Sequence, residues 1–252
     1  MNILAKIFKK IQTKRVIGAL RDNPKAQLTR IGSRLGGWHL PFSMIPAGGT
    51  AVCVGAGEDI SFDVELNKLG LKVFTLDPTP RAKDHVRQVL TGAGRATPVA
   101  INHSVAEHYE LRGFDRSRFT FVEAGLWDQD KVARFFAPKD PSHVSHSIVN
   151  LQGTDEGFEA RCMRLQTFCS SFQIGQPDIL KLDVEGAEYA VLKDMARSGF
   201  RPKMLCVDFD EGHTPLDRHS MRRIAEAVTS LKRLGYQFWH QDGWNFLFVF
   251  AQ

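Results

Sequence analysis

The sequence has no run of eighteen consecutive apolar residues, so no segment is long and apolar enough to span a bilayer as a helix. Glycine (21) and proline (11) are near average for 252 residues, which excludes collagen-like and low-complexity chains, and no internal repeat is found. The four cysteines, Cys53, Cys162, Cys169 and Cys206, include no CxxC pair and fall in apolar or strand-like stretches. They read as reduced, buried thiols of a cytoplasmic protein. The opening segment MNILAKIFKKIQTKR lacks the uninterrupted apolar stretch of a secretory signal, because Lys6, Lys9 and Lys10 break it.

Acidic residues are scarce at one end only. Residues 1–40 hold nine Lys/Arg against the single acid Asp22, a net charge of +8. The remaining 212 residues carry −3, although the whole chain is +5. A nucleic-acid-binding enzyme spreads basic residues around its cleft, and this core does not, so no nucleic-acid partner is expected. With 43% hydrophobic and 24% charged residues, the composition suits one α/β domain with a modest extension.

Within residues 2–20, Ile3, Leu4, Ile7, Phe8 and Ile11 recur at helical spacing among lysines, and Asn23-Pro24 ends the pattern. This basic amphipathic helix suits docking on the core, contact with a second copy, or a peripheral position on the inner face of an anionic membrane. Residues 1–35 are read as this extension and residues 36–252 as the main domain, with Gly36–Pro41 a loop carrying an aromatic plug. From residue 50, strands and helices alternate. Strands are expected at 51–54, 72–76, 119–124, 178–182 and 203–209. Helices are expected at 59–69, 81–90 and 187–195, with a long one through Met221, Ile224, Val228, Leu231 and Leu234. A β-rich insertion is expected at about 131–172. Two final strands, 236–240 and 246–250, flank Asp242-Gly243, a hairpin signal. The expected architecture is a mostly parallel seven-stranded sheet with an antiparallel C-terminal hairpin and helices on both faces.

Three strand ends carry chemistry. After Val54 comes Gly55-Ala56-Gly57-Glu58-Asp59, where glycines permit a sharp turn and close ligand approach. The third glycine of a dinucleotide fingerprint is absent, its position taken by Ile60. Glu58 and Asp59 suit a ligand bearing an ammonium and a sulfonium better than a pyrophosphate. Asp77-Pro78 ends the second strand, 22 residues after Gly55, where an acid can grip a ribose diol. The third end is Lys181-Leu182-Asp183-Val184-Glu185-Gly186, with Lys181, Asp183 and Glu185 on one side-chain parity.

The string LKLDVEGAEYAVLKDM closely resembles the signature of FkbM-type methyltransferases. VCVGAGEDISFDVELNKLGLKVFTLDPTP resembles that family's cofactor loop and ribose acid, and FTFVEAGLW its third strand. The resemblance covers roughly residues 36–250 and implies the Rossmann-like fold of class I enzymes that use S-adenosylmethionine and release S-adenosylhomocysteine. It further implies O-methylation of a hydroxyl on a sugar, glycolipid, polysaccharide or natural product, that is, a small-molecule or glycan acceptor. By resemblance, Gly55, Ala56, Gly57, Glu58 and Asp59 form the loop at the methionine end, and Asp77 with Pro78 meets the ribose. Gly125, Leu126 and Trp127 line the adenine site, and Asp183 lies near the methyl donor. Many members carry Glu-Pro where this chain has Asp77-Pro78, a shorter carboxylate.

An alcohol acceptor needs a base. Candidates are Asp183, Glu185, Asp210, Glu211, His213, His143 and His146, with Asp183, Glu185 and His213 preferred. No metal site is assigned. The clustered acids Asp183, Glu185 and Asp208 supply the oxygen donors of a divalent ion, as a secondary reading. The alternatives are an RNA or protein methyltransferase, or an inactive cofactor-binding module.

Overall fold

Two short segments that are far from hydrophobic runs open the fold as an antiparallel ribbon: β1 (Thr29–Ile31) and β2 (Trp38–Leu40). Trp38 is therefore a buried strand residue, and of Gly36–Pro41 only Gly36, Gly37 and Pro41 lie outside the strand as the expected loop. The computed structural model describes residues 27–92, 99–101, 106–140 and 145–251. The helix expected over residues 2–20 and His143 lie outside the described residues.

The main domain then alternates β3 (Thr50–Val54), α1 (Ser61–Lys68), β4 (Lys72–Leu76), α2 (Pro80–Gly92) and β5 (Phe119–Val122). An insertion follows with β6 (Gly125–Leu126), β7 (Lys131–Phe136) and β8 (Gly157–Met163), which form their own sheet in the order β6-β8-β7. Immediately after it, α3 (Leu165–Ser171) is a helix, not the strand expected there. Leu165, Phe168 and Cys169 recur at the three-and-four spacing that buries one helix face. The chain closes with β9 (Ile179–Leu182), α4 (Glu188–Ser198), β10 (Met204–Asp208), α5 (Ser220–Arg233), β11 (Tyr236–Asp242) and β12 (Asn245–Phe250). Gly199, at φ +80°, ends α4 in the left-handed conformation that a side chain would resist. No helix among the described residues is long and apolar enough to cross a membrane.

Seven strands join in the order β11-β12-β10-β9-β3-β4-β5. The five from β3, β4, β5, β9 and β10 are parallel, and β12 runs against both its neighbours. This is the Rossmann-like α/β architecture expected from the sequence. Strands buried on both faces read as unbroken apolar runs because successive side chains enter opposite cores. Thus Val52, Val54, Leu180 and Leu182 pack with α3, α4 and α5, whereas Ala51, Cys53 and Ile179 pack with α1, α2 and the β1–β2 ribbon. All four cysteines are buried and free.

The topology fixes where a ligand can enter. From β3 the chain moves outward through β4 to β5, then returns to β9 on the other flank of β3. Helices leave β3 and β9 in opposite directions, so the carboxyl ends of these two neighbours open a crevice.

Candidate active site

The strand ends converge through their backbones. Past the last paired residues, Gly55 N–H donates to Leu76 O (2.9 Å), Asp77 N–H to Val122 O (3.2 Å) and Asp183 N–H to Val54 O (3.1 Å). Gly55 has φ +90°, and a Cβ there would overlap the carbonyl oxygen of Asp183. Glycine is required twice at this point, by the dihedral and by the neighbour.

Asp77 is buried, and both its oxygens are engaged. One accepts from Ala56 N–H (2.8 Å) and Gly57 N–H (3.0 Å), the other from Thr79 N–H (2.7 Å) and Thr79 Oγ1 (2.7 Å). Four protein donors on one carboxylate match its capacity, so Asp77 holds the glycine loop against the start of α2. Asp59 behaves similarly. It accepts from Ser33 Oγ (2.6 Å) and Ser61 N–H (2.9 Å), tying the N-terminal ribbon to the first turn of α1. Glu58, nearly buried, takes both Nε (3.2 Å) and Nη2 (2.8 Å) of Arg81.

Lys181 is a buried cation in the middle of the sheet. Its Nζ donates to Gly55 O (2.6 Å) and lies 3.2 Å from Asp183 Oδ2. Burial alone would lower its pKa, but the facing carboxylates of Asp183 and Asp63 outweigh that and keep the ammonium charged. Asp63, buried on α1, accepts from Thr75 Oγ1, and burial lifts its pKa to about 6.

Around these tips lies a cavity of about 240 Å³. Its lining includes Gly55, Ala56, Gly57, Glu58, Asp59, Asp77, Pro78, Gly125, Leu126, Asp183 and Glu185 from the sequence-derived set. Trp127 and His213 are not among the lining residues. The Trp127 N–H instead joins the insertion to Met163 O (2.8 Å). His213 is more than half exposed, with Nε2 3.7 Å from Asp208 Oδ1. His146, another of the base candidates, also lines the cavity, as do Leu35, Gly36, Thr79, Phe135, Ile148 and Lys181. Phe135 and Ile148 come from the insertion, and Leu35 from the ribbon. Nothing in their local sequence marks them, because only the fold back of distant segments brings them here.

At the β9 and β10 ends, carboxylates crowd together. One oxygen each from Asp183, Glu185 and Asp210 lies within 4.8 Å of the others. Glu185 sits at φ +51°, unusual for a non-glycine, and its carbonyl accepts from Ser147 Oγ of the insertion. Glu188, fully buried, accepts from Gly186 N–H with Oε1 (2.9 Å), while its Oε2 has no hydrogen-bond partner. Asp208 Oδ1 and Asp210 Oδ2 are likewise buried without a hydrogen-bond partner. Burial, aided by the neighbouring acids, raises Asp208 and Asp210 well above the usual carboxylate range, and burial lifts Glu188 to about 7. Glu211, one of the base candidates, is buried and held by Arg223 Nε (2.7 Å).

Comparison with known proteins gives one family match: the Methyltransferase FkbM domain, over residues 53–238. No curated protein matches the chain. Among solved structures, a TehB-like SAM-dependent methyltransferase from Corynebacterium glutamicum is similar at 13% identity and a TM-score of 0.38. That alignment covers 83% of this chain and 84% of the other.

Proposed function

Since the chain belongs to the FkbM methyltransferase domain family, we propose that it moves a methyl group from S-adenosylmethionine to a hydroxyl oxygen of a sugar, glycolipid, polysaccharide or natural product. One observation carries the reading: the tips of β3, β4 and β9 meet on a single cavity through Gly55, Asp77 and Asp183.

The residues present fit such a donor. Gly55 removes the side chain that would close the crevice, and Glu58, paired with Arg81, lines the loop where the methionine end would lie. Leu126, Pro78 and Phe135 offer an apolar wall for a purine. Asp77 would act on the ribose end by fixing the loop, because its four acceptor positions are already engaged. When bound, the sulfonium supplies a methyl group already activated toward an oxygen nucleophile. The remaining task is alignment and proton removal. Asp183 and Glu185 line the cavity at its acidic end, so they would hold the acceptor hydroxyl and receive its proton. His213 lies outside the lining and would act only through Asp208.

Calorimetry with S-adenosylhomocysteine tests the donor site, and transfer of a labelled methyl group to a panel of hydroxylated glycans tests the reaction. Absence of binding would remove the enzyme reading. Binding with transfer only to RNA or protein would replace the acceptor.

A further inference from the structure

Lys181 is the one Lys or Arg among the described residues that line the cavity. It lies within the sheet, opposite Cys53 on β3 and Cys206 on β10, with its side chain almost fully buried. Burial would strip the ammonium of its proton, yet the facing carboxylates of Asp183 and Asp63 keep it charged. An ammonium has three N–H donors. Among the described residues, Gly55 O accepts one at 2.6 Å, and Asp183 Oδ2, 3.2 Å away, meets a second. One donor of a buried cation is thus left over at the cavity floor, and a charged hydrogen bond left unmade there is costly. A ligand anion entering the cavity finds no other lysine or arginine to meet, because Arg81 stands outside the lining and is held by Glu58.

We propose that Lys181 is the counter-charge for the α-carboxylate of the methyl donor, so that the cavity selects an adenosyl ligand with a free carboxylate. This rests on the methyltransferase reading and names what that donor site selects. S-adenosylmethionine carries a carboxylate and an ammonium on one carbon. Lys181 and Asp183 present a cation and an anion 3.2 Å apart on the cavity wall. The zwitterion would complete a ring of alternating charges, its carboxylate against Lys181 and its ammonium against Asp183. Neither fixed charge loses its partner in such a ring, so entry of the ligand leaves no buried charge uncompensated. Lys181 also holds the Gly55 carbonyl, so one side chain both fixes the glycine turn at the tip of β3 and reads the ligand. With Asp183 given to the ammonium, proton removal falls to Glu185.

The test uses the full chain and calorimetric titration with two ligands, S-adenosylhomocysteine and its decarboxylated analogue, which keeps the ammonium. The unmodified chain should bind the decarboxylated analogue roughly tenfold or more weakly than S-adenosylhomocysteine. Lys181→Met should remove that preference by weakening S-adenosylhomocysteine by a similar factor. The decarboxylated analogue should bind Lys181→Met unchanged or more tightly, because Asp183 is released to its ammonium. Lys181→Gln carries the same expectation should Lys181→Met not fold, and the comparison on the unmodified chain needs neither variant. A lysine that only props the Gly55 carbonyl would, when replaced, weaken both ligands alike. That result, or equal affinity of the two ligands for the unmodified chain, would overturn the role. S-adenosylhomocysteine binding without a carboxylate preference defeats this inference alone, and binding of neither ligand by the unmodified chain defeats the donor site itself.

Discussion

The two halves of the cavity handle acidic residues in opposite ways. At the β3–β4 end, Glu58 meets Arg81, Asp59 meets Ser33 and Ser61, and Asp77 meets four donors. At the β9–β10 end, Glu188, Asp208 and Asp210 each keep a buried oxygen without a hydrogen-bond partner. The first end is internally complete, each carboxylate meeting donors from the protein itself. The second is incomplete and needs protons or a ligand. A wall whose carboxylates are held by protein donors thus sits against one that keeps unpartnered buried oxygens.

The largest effect should come from breaking the point where the two ends touch. Gly55→Ala places a Cβ against the Asp183 carbonyl at a left-handed φ, so it should cost at least about 3 kcal/mol of stability and abolish S-adenosylhomocysteine binding. A thermal midpoint close to that of the unmodified chain would show that the tips are not in contact. Next, Asp77→Asn puts an amide N–H₂ against N–H donors, and about 2–3 kcal/mol should be lost from stability or donor affinity, nearly as much as for Asp77→Ala. If Asn behaves like Asp, the carboxylate does not organise the loop.

Asp63 offers a test by pH at the complete end. Its folded pKa, about 6, lies above the ordinary aspartate value of 3.8, so the folded state binds the extra proton. The associated stability is fully present below about pH 4 and is lost as pH rises through about 6. Asp63→Asn keeps an acceptor for Thr75 Oγ1, so its stability relative to the unmodified chain should rise by on the order of 2–3 kcal/mol between pH 4 and 7. Denaturant melts at a series of pH values measure this, and a flat difference would mean that Asp63 is not shifted. The smallest effect is at the incomplete end. Ser147→Ala removes the hydroxyl that holds the Glu185 carbonyl and should cost about 1 kcal/mol, read as a lowered denaturation midpoint. No change would leave the insertion without a part in setting Glu185.

Local pattern made much of the frame legible. The unbroken run Ala51–Val54, the glycines at 55 and 57 and the acids at 77 and 183 are periodicity and turn chemistry. Their order along the chain suffices for a doubly wound sheet. Boundaries were less legible: Leu165–Ser171 is apolar at positions that serve a strand or a helix, and packing against the sheet decides for helix. Trp38–Leu40 became a strand because Ile31 lies opposite Trp38. His213 sits at a strand end, as its position suggests, yet its side chain turns toward solvent beside Asp208.

Residue types and spacings alone therefore determined the sheet, its glycine turns and the carboxylates that cap its strands, because these obey rules acting over a few residues. The tertiary structure decided which carboxylates are engaged and which are left over. Asp183 opposes Gly55 across 128 positions, Ser147 reaches Glu185, and Glu188 faces Asp210. Such meetings depend on how layers pack, and both hydrogen bonding and burial act over a few ångströms of space, whatever the separation along the chain.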